Sequence, residues 1–240
     1  MRKFKYMVYS FLMIMGLVSC DLVGDIDDIK PENTADESTL IRDESSANLA
    51  LRGVYGLWRT TGVTLISPAM GYLSGALLGS GIDAGVFAKN DVKPETSSIA
   101  DYYTALYRIV NYANTVMEQL EAGKAVGLAE ERKAEMIGEC KFHRAMAHFF
   151  LLRTFGQFYD EASPYGIVLV KKHMQENKAV PRDTVAHVYQ LINDDLDDAI
   201  KTAPEHITEH YYVSRMTAKA LKARVLLYQK KYHDAAMLAK

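Results

Sequence analysis

GECKFHRAMAHFFLLRTFGQF, residues 138–158, begins as an amphipathic helix and turns apolar on nearly every side over residues 145–152. A helix apolar all round is buried all round. This stretch therefore predicts the central element of an all-α fold. Upstream the same pattern reaches Ala129, so one helix is expected from there to about Phe155, with Gly156 ending it.

The neighbours on both sides repeat the helical period. Leu106, Ile109, Val110, Ala113, Val116, Met117 and Leu120 form one apolar stripe, and Gly123 and Gly127 break it. Ala47, Leu51, Val54, Tyr55 and Trp58 form a shorter stripe, which places Trp58 in the core. Val185, Val188, Ile192, Leu196 and Ala199 mark a third helix, with Pro204 just beyond. Ser214 is a plausible N-cap for a fourth, through Ala218, Leu221, Val225 and Tyr228. A fifth starts near Tyr232 and is still running at Lys240. The spacing of Ala223, Leu226, Tyr232, Ala235 and Ala239 follows the tetratricopeptide pattern of stacked helical hairpins. Such repeats bury a face on the next unit and end in caps. No cap is visible, so the sequence reads as truncated at its C-terminus, a piece of a longer protein.

Two segments lack the period. Residues 157–183 connect helices, and Ile167–Val170 reads as a short strand with no visible partner. Residues 61–100 hold Gly62, Gly71, Gly75, Gly79, Gly81 and Gly85 with Pro68 and Pro94. They read as a long irregular loop, a feature that in a compact chain usually has a function. Tyr72 and Phe87 stand there outside any core stripe. They are the candidate ligand contacts, the alternative being that they pin the loop to the scaffold.

The first residues belong to another class of signal. Arg2, Lys3 and Lys5 precede the uncharged run Tyr6–Val18, which is too short to span a bilayer comfortably. This is the layout of a secretory signal peptide. Leu17-Val18-Ser19-Cys20 reads as a lipobox, in which the Cys20 thiol accepts a diacylglyceryl group. Residues 1–19 are then the signal peptide, residues 20–40, rich in Asp, an unpacked tether, and residues 41–240 the helical domain. Stable anchoring takes two or more acyl chains. With Cys20 lipidated, Cys140 is the single remaining thiol, so no internal disulfide can form and packing must supply the stability.

Composition and motif spacing exclude several chemistries. The chain has 28 Lys and Arg against 30 Asp and Glu, and three of the basic residues precede Cys20. The rest is mildly acidic, without the basic footprint that nucleic acid requires. Gly79, Gly81 and Gly85 miss the dinucleotide spacing, and no Gly-Lys-Ser/Thr follows a strand. Asp194, Asp195, Asp197 and Asp198 lack the glycine and terminal Glu of a calcium loop and read as a solvated helix face. Glu139 and His143 are four apart, but no H-E-x-x-H surrounds them, so hydrogen bonding is their expected role. Arg144 reads as a structural cation, Cys140 as a small core residue, and His148 as a ring in need of a buried partner. No catalytic, metal or cofactor constellation is supported.

Four segments resemble the SusD/RagB family of outer-membrane nutrient-binding lipoproteins of Bacteroidetes. They are YYTALYRIVNYANTVMEQL (102–120), with Asn111, Ala113 and Asn114; GECKFHRAMAHFFLLRTFGQF (138–158), with Gly138, Glu139, Phe142, Arg144, Ala145, Phe149, Phe150, Leu152, Phe155 and Gly156; VAHVYQLINDDLDDAI (185–200); and SRMTAKALKARVLLYQKKYHDAA (214–236). His143 and Tyr159 depart from the family pattern, and members run to about twice this length. The resemblance implies an α-helical scaffold of tetratricopeptide-like hairpins at the cell surface. It implies a lid over a SusC-like TonB-dependent transporter, binding oligosaccharides or peptides without catalysis. The alternative is a tetratricopeptide-type scaffold that binds proteins and has no glycan affinity.

Overall fold

In the computed structural model the described residues are 40–81, 83–175 and 179–240, within a unit spanning Glu37–Lys240. The signal peptide, Cys20 and the tether expected over residues 20–40 (except Leu40) lie outside the described residues.

Helix α1 (Glu44–Leu57) opens on a capping box: Asp43 Oδ1 accepts from Ser46 N at 2.8 Å and Ser46 Oγ accepts from Asp43 N at 3.0 Å. Three short helices follow, α2 (Thr61–Thr64), α3 (Ile66–Leu73) and α4 (Ala84–Ala88). Then come α5 (Ser97–Glu121), α6 (Glu130–Phe155), α7 (Val185–Thr202), α8 (Arg215–Tyr228) and α9 (Tyr232–Leu238). Among the described residues there is no strand. The chain is all-α, as its apolar periods predicted, and α8 begins at Ser214, whose side chain accepts from Thr217 N.

Helix α6 is central: it packs against α1, α5, α7 and α8. Its Phe149, Leu151 and Leu152 join Leu106, Ile109 and Val110 of α5 and Val188, Ile192 and Leu196 of α7 in one core. Each such fully buried side chain contributes about 1.5–3 kcal/mol. A second cluster joins Ala47, Leu51 and Val54 of α1 to Val116 and Leu120 of α5 and to Met136 and Cys140 of α6. Cys140 is a buried core residue, and burial pushes its thiol pKa upward.

Residues 61–100 are less irregular than their glycines suggest. Pro68 falls in the first turn of α3, where its missing N–H would have no helical partner. A Cβ on Gly71 would lie 2.6 Å from Leu77 Cγ, so this glycine lets the chain after α3 fold back on it. Asp83 then anchors α5: its carboxylate accepts from Ser98 N and Oγ at 3.1 and 2.7 Å.

One expectation is corrected in α7. Asp195 is not on a solvated face; it is 3% exposed. It neighbours Leu196 on the inward side of α7 and meets Arg144 of α6. Asp197 and Asp198 pair with Lys222 and Lys141.

Candidate functional site

Beyond α6 the chain turns between residues 156 and 164, and residues 165–175 and 179–184, neither helical nor in a strand, lie along α5 as a strap. The expected strand at Ile167–Val170 forms no ladder. Side chains of α5 replace it, because an extended backbone must satisfy its polar groups somewhere. Tyr107 Oη donates to Val168 O at 3.0 Å and Asn114 Nδ2 to Val170 O at 3.1 Å. Asn111 donates from Nδ2 to Met174 O at 3.1 Å and accepts from Met174 N at 2.7 Å. Glu118 accepts from His173 N at 2.8 Å. The side chains at 107, 111, 114 and 118 recur at three and four residues, one helical face. This gives the Asn111 and Asn114 of the sequence motif a physical role: they fasten the strap. Its far end is tied by Gly166 N donating to Asp183 O and Asp183 N to Ile167 O, at 3.0 and 2.8 Å.

Between this face of α5 and the strap lies a cleft of about 550 Å³, lined by Tyr103, Thr104, Tyr107, Arg108, Val168 and Met174 among others. That is within the size range of small-molecule sites. Tyr103 and Tyr107 stand 4.7 Å apart between ring centroids, and Phe155 meets Tyr103 edge-on at 5.1 Å. Burial, followed by the neighbouring Tyr103, pushes the Tyr107 pKa far above its ordinary value, so the phenol stays neutral. A second, smaller hollow of about 340 Å³ separates α1, α6 and residues 204–213. Its floor is Glu139, which accepts from Tyr55 Oη at 2.5 Å and from Arg132 Nη1 at 3.0 Å, while Tyr55 Oη accepts from Val213 N at 2.9 Å.

The structure separates the residues singled out from sequence. Tyr72 is half-buried in α3, and its hydroxyl lies beside Gly79 and Gly81. Phe87 is 2% exposed, so its ring holds α4 in place and offers no open face. Neither lines either hollow. Glu139 and His143 make hydrogen bonds as expected, with Trp58 Nε1 donating to His143 Nδ1 at 2.9 Å. Trp58 itself is half-buried against the core. Arg144 is a structural cation bonded to Asp195 and Asn114. His148 finds no partner among the described residues. Tyr103, Thr104, Tyr107 and Arg108 were missed. The signal was available: they fall at 103, 107 and 104, 108, away from the stripe at 102, 106, 109 and 110 that enters the core.

Helices α5 to α9 thus pack in sequence as helical hairpins, with a strap and an open lateral cleft beside α5. The family model for SusD-like proteins, described as starch-binding associating with outer membrane, matches residues 82–227. The chain belongs to that family. A SusD-like protein of Bacteroides ovatus is 25% identical over 130 residues, 54% of this chain and 22% of that protein. A SusD-like protein of Formosa agariphila is 21% identical over 241 residues, 98% of this chain and 45% of that protein. The chain thus spans less than half the length of these curated relatives. Among solved structures, a SusD superfamily protein from Bacteroides vulgatus superposes with a TM-score of 0.72 at 21% identity, covering 83% of this chain and 46% of the other. A laminarin-binding SusD-like protein superposes at 0.66 with 23% identity, covering 82% and 42%. These likenesses show the SusD fold. No helix of the described residues is long and apolar enough to cross a membrane.

Proposed function

We propose that this protein captures oligosaccharide at the surface of the outer membrane and passes it to a SusC-like TonB-dependent transporter, without catalysis. Lipid on Cys20 would hold it there. The observation that carries this reading is membership, over residues 82–227, of a family described as starch-binding and associated with the outer membrane. The laminarin-binding relative of the same fold supports the ligand class. The lipobox Leu17-Val18-Ser19-Cys20 supports the anchor.

The physical basis is modest affinity from many weak contacts. The CH face of a sugar ring is apolar enough to leave water for an aromatic plane, and polar groups then fix the hydroxyls. Tyr72 is the residue of segment 61–100 retained for this role. A ligand would reach Phe87 only if α4 moved.

The test is isolation of the native protein from outer membrane in mild detergent, with partners identified by mass spectrometry. Co-purification of a TonB-dependent barrel, lost in a Cys20→Ser variant released from the membrane, is the expected result. Recovery without any barrel would defeat the transporter reading and favour the protein-binding scaffold.

A further inference from the structure

We infer that the cleft between α5 and the strap is a sugar-binding subsite, in which Tyr103 carries a pyranose ring and Arg108 and Thr104 hold its exocyclic oxygens. This rests on the glycan-capture reading and assigns it a place.

Three observations carry it. Tyr103 is held from two sides, by Phe155 and Tyr107, yet stays 37% exposed. A fixed aromatic plane facing solvent loses little freedom on binding, which favours affinity. Next, the polar groups divide into committed and free. Tyr107 and Asn111 are engaged by the strap backbone. Arg108 and Thr104, one turn apart on the same face, make no side-chain hydrogen bond or ion pair among the described residues. A guanidinium presents a fork of donors suited to two adjacent oxygens, as vicinal hydroxyls or a carboxylate provide. Finally, Val168, Val170, Met174 and Val180 give the opposite wall an apolar surface against which the second face of a ring can rest. The volume accepts more than one ring. The shared chemistry is a pyranose with an apolar face and a pair of oxygens at its edge, whether neutral or carrying a carboxylate.

The test is calorimetric titration of the purified chain with laminarihexaose, maltohexaose and hexagalacturonate, followed by hydrogen exchange with the tightest of them. Binding is expected to protect residues 103–111 and 168–175. Tyr103→Ala is expected to weaken it about ten-fold, Arg108→Gln several-fold, and Tyr103→Phe little, since the ring and not the hydroxyl carries the contact. Arg108 is exposed, so its variant tests the site without disturbing the core. Preference for hexagalacturonate, abolished in Arg108→Gln, would identify a uronate as the bound unit; equal losses with the neutral hexamers would identify hydroxyls. Glycan binding unchanged in Tyr103→Ala and Arg108→Gln would overturn the subsite while leaving glycan capture standing. Binding to none of the three would overturn both.

Discussion

Arg144 of α6 and Asp195 of α7 form a bidentate ion pair, with Nη2 2.6 Å from Oδ1 and Nε 2.8 Å from Oδ2, in a setting where both side chains are almost wholly buried. The remaining donor, Nη1, reaches Asn114 Oδ1 at 2.7 Å and Lys171 O at 3.1 Å. One guanidinium thus joins α5, α6, α7 and the strap. Removing one member of a buried pair strands the other charge and costs about 3–5 kcal/mol. Arg144→Met is expected to lower stability by that amount in urea unfolding, and adding Asp195→Leu to recover part of it. A loss under about 1 kcal/mol in Arg144→Met would show that the pair does not bind these elements together.

Acid should weaken the fold through its buried histidines. Burial holds His143 and His148 at pKa values of about 3, below their ordinary 6.5, and the Arg144 charge adds to the effect at His148. The folded protein therefore takes up fewer protons than the unfolded chain. The stabilising contribution is complete above about pH 6.5 and falls as the pH drops toward 3, at up to about 1.4 kcal/mol per pH unit for each ring. His148→Leu is expected to flatten this slope by the share of one ring when unfolding is followed between neutral and acid pH. It also removes two ring nitrogens without partners among the described residues. Identical slopes in the two proteins would refute the assignment.

Gly138 sets how closely α6 approaches the end of α7. A Cβ there would lie 2.8 Å from Ala203 N and would also collide with the Thr202 hydroxyl. Both are held by the helix end, with Ala203 N donating to Ala199 O at 2.9 Å, so neither can yield freely. Gly138→Ala is expected to cost about 1–3 kcal/mol, despite the better helix propensity of alanine. A thermal midpoint at or above that of the parent would show that the two helices separate without penalty.

The strap depends on side chains rather than a ladder, so single deletions should loosen it locally. Tyr107→Phe removes the donor to Val168 O and is expected to cost about 1 kcal/mol. Faster amide exchange should be confined to residues 167–175. An unchanged exchange pattern would mean that Asn111 and Asn114 hold the strap without it.

Helices α5 to α9 were legible because each has one apolar stripe or, in α6, apolar surface all round, and burial of that surface dominates the energy. The N-cap at Ser214 and the stop at Gly156 were legible because they are local chemistry. The short helices within residues 61–100 were not. None has enough turns to show a period, and each exists because neighbours such as Leu77 over Gly71 hold it. Asp195 was misread for a related reason: a run of four acids looks solvated until one of them is found opposite a buried cation.

The candidate site shows the same division. The sequence by itself determined helices α1 and α5 to α9, their apolar stripes, and the SusD-like family. These follow from local periodicity and motif spacing. It did not single out Tyr103, Tyr107 or Arg108. Only the tertiary structure decided that those residues face a strap some 60 positions further on, that Phe87 is enclosed, and that Arg144 is neutralised by Asp195. Such pairings are set by how α5, α6 and α7 pack together, and no spacing along the chain encodes them.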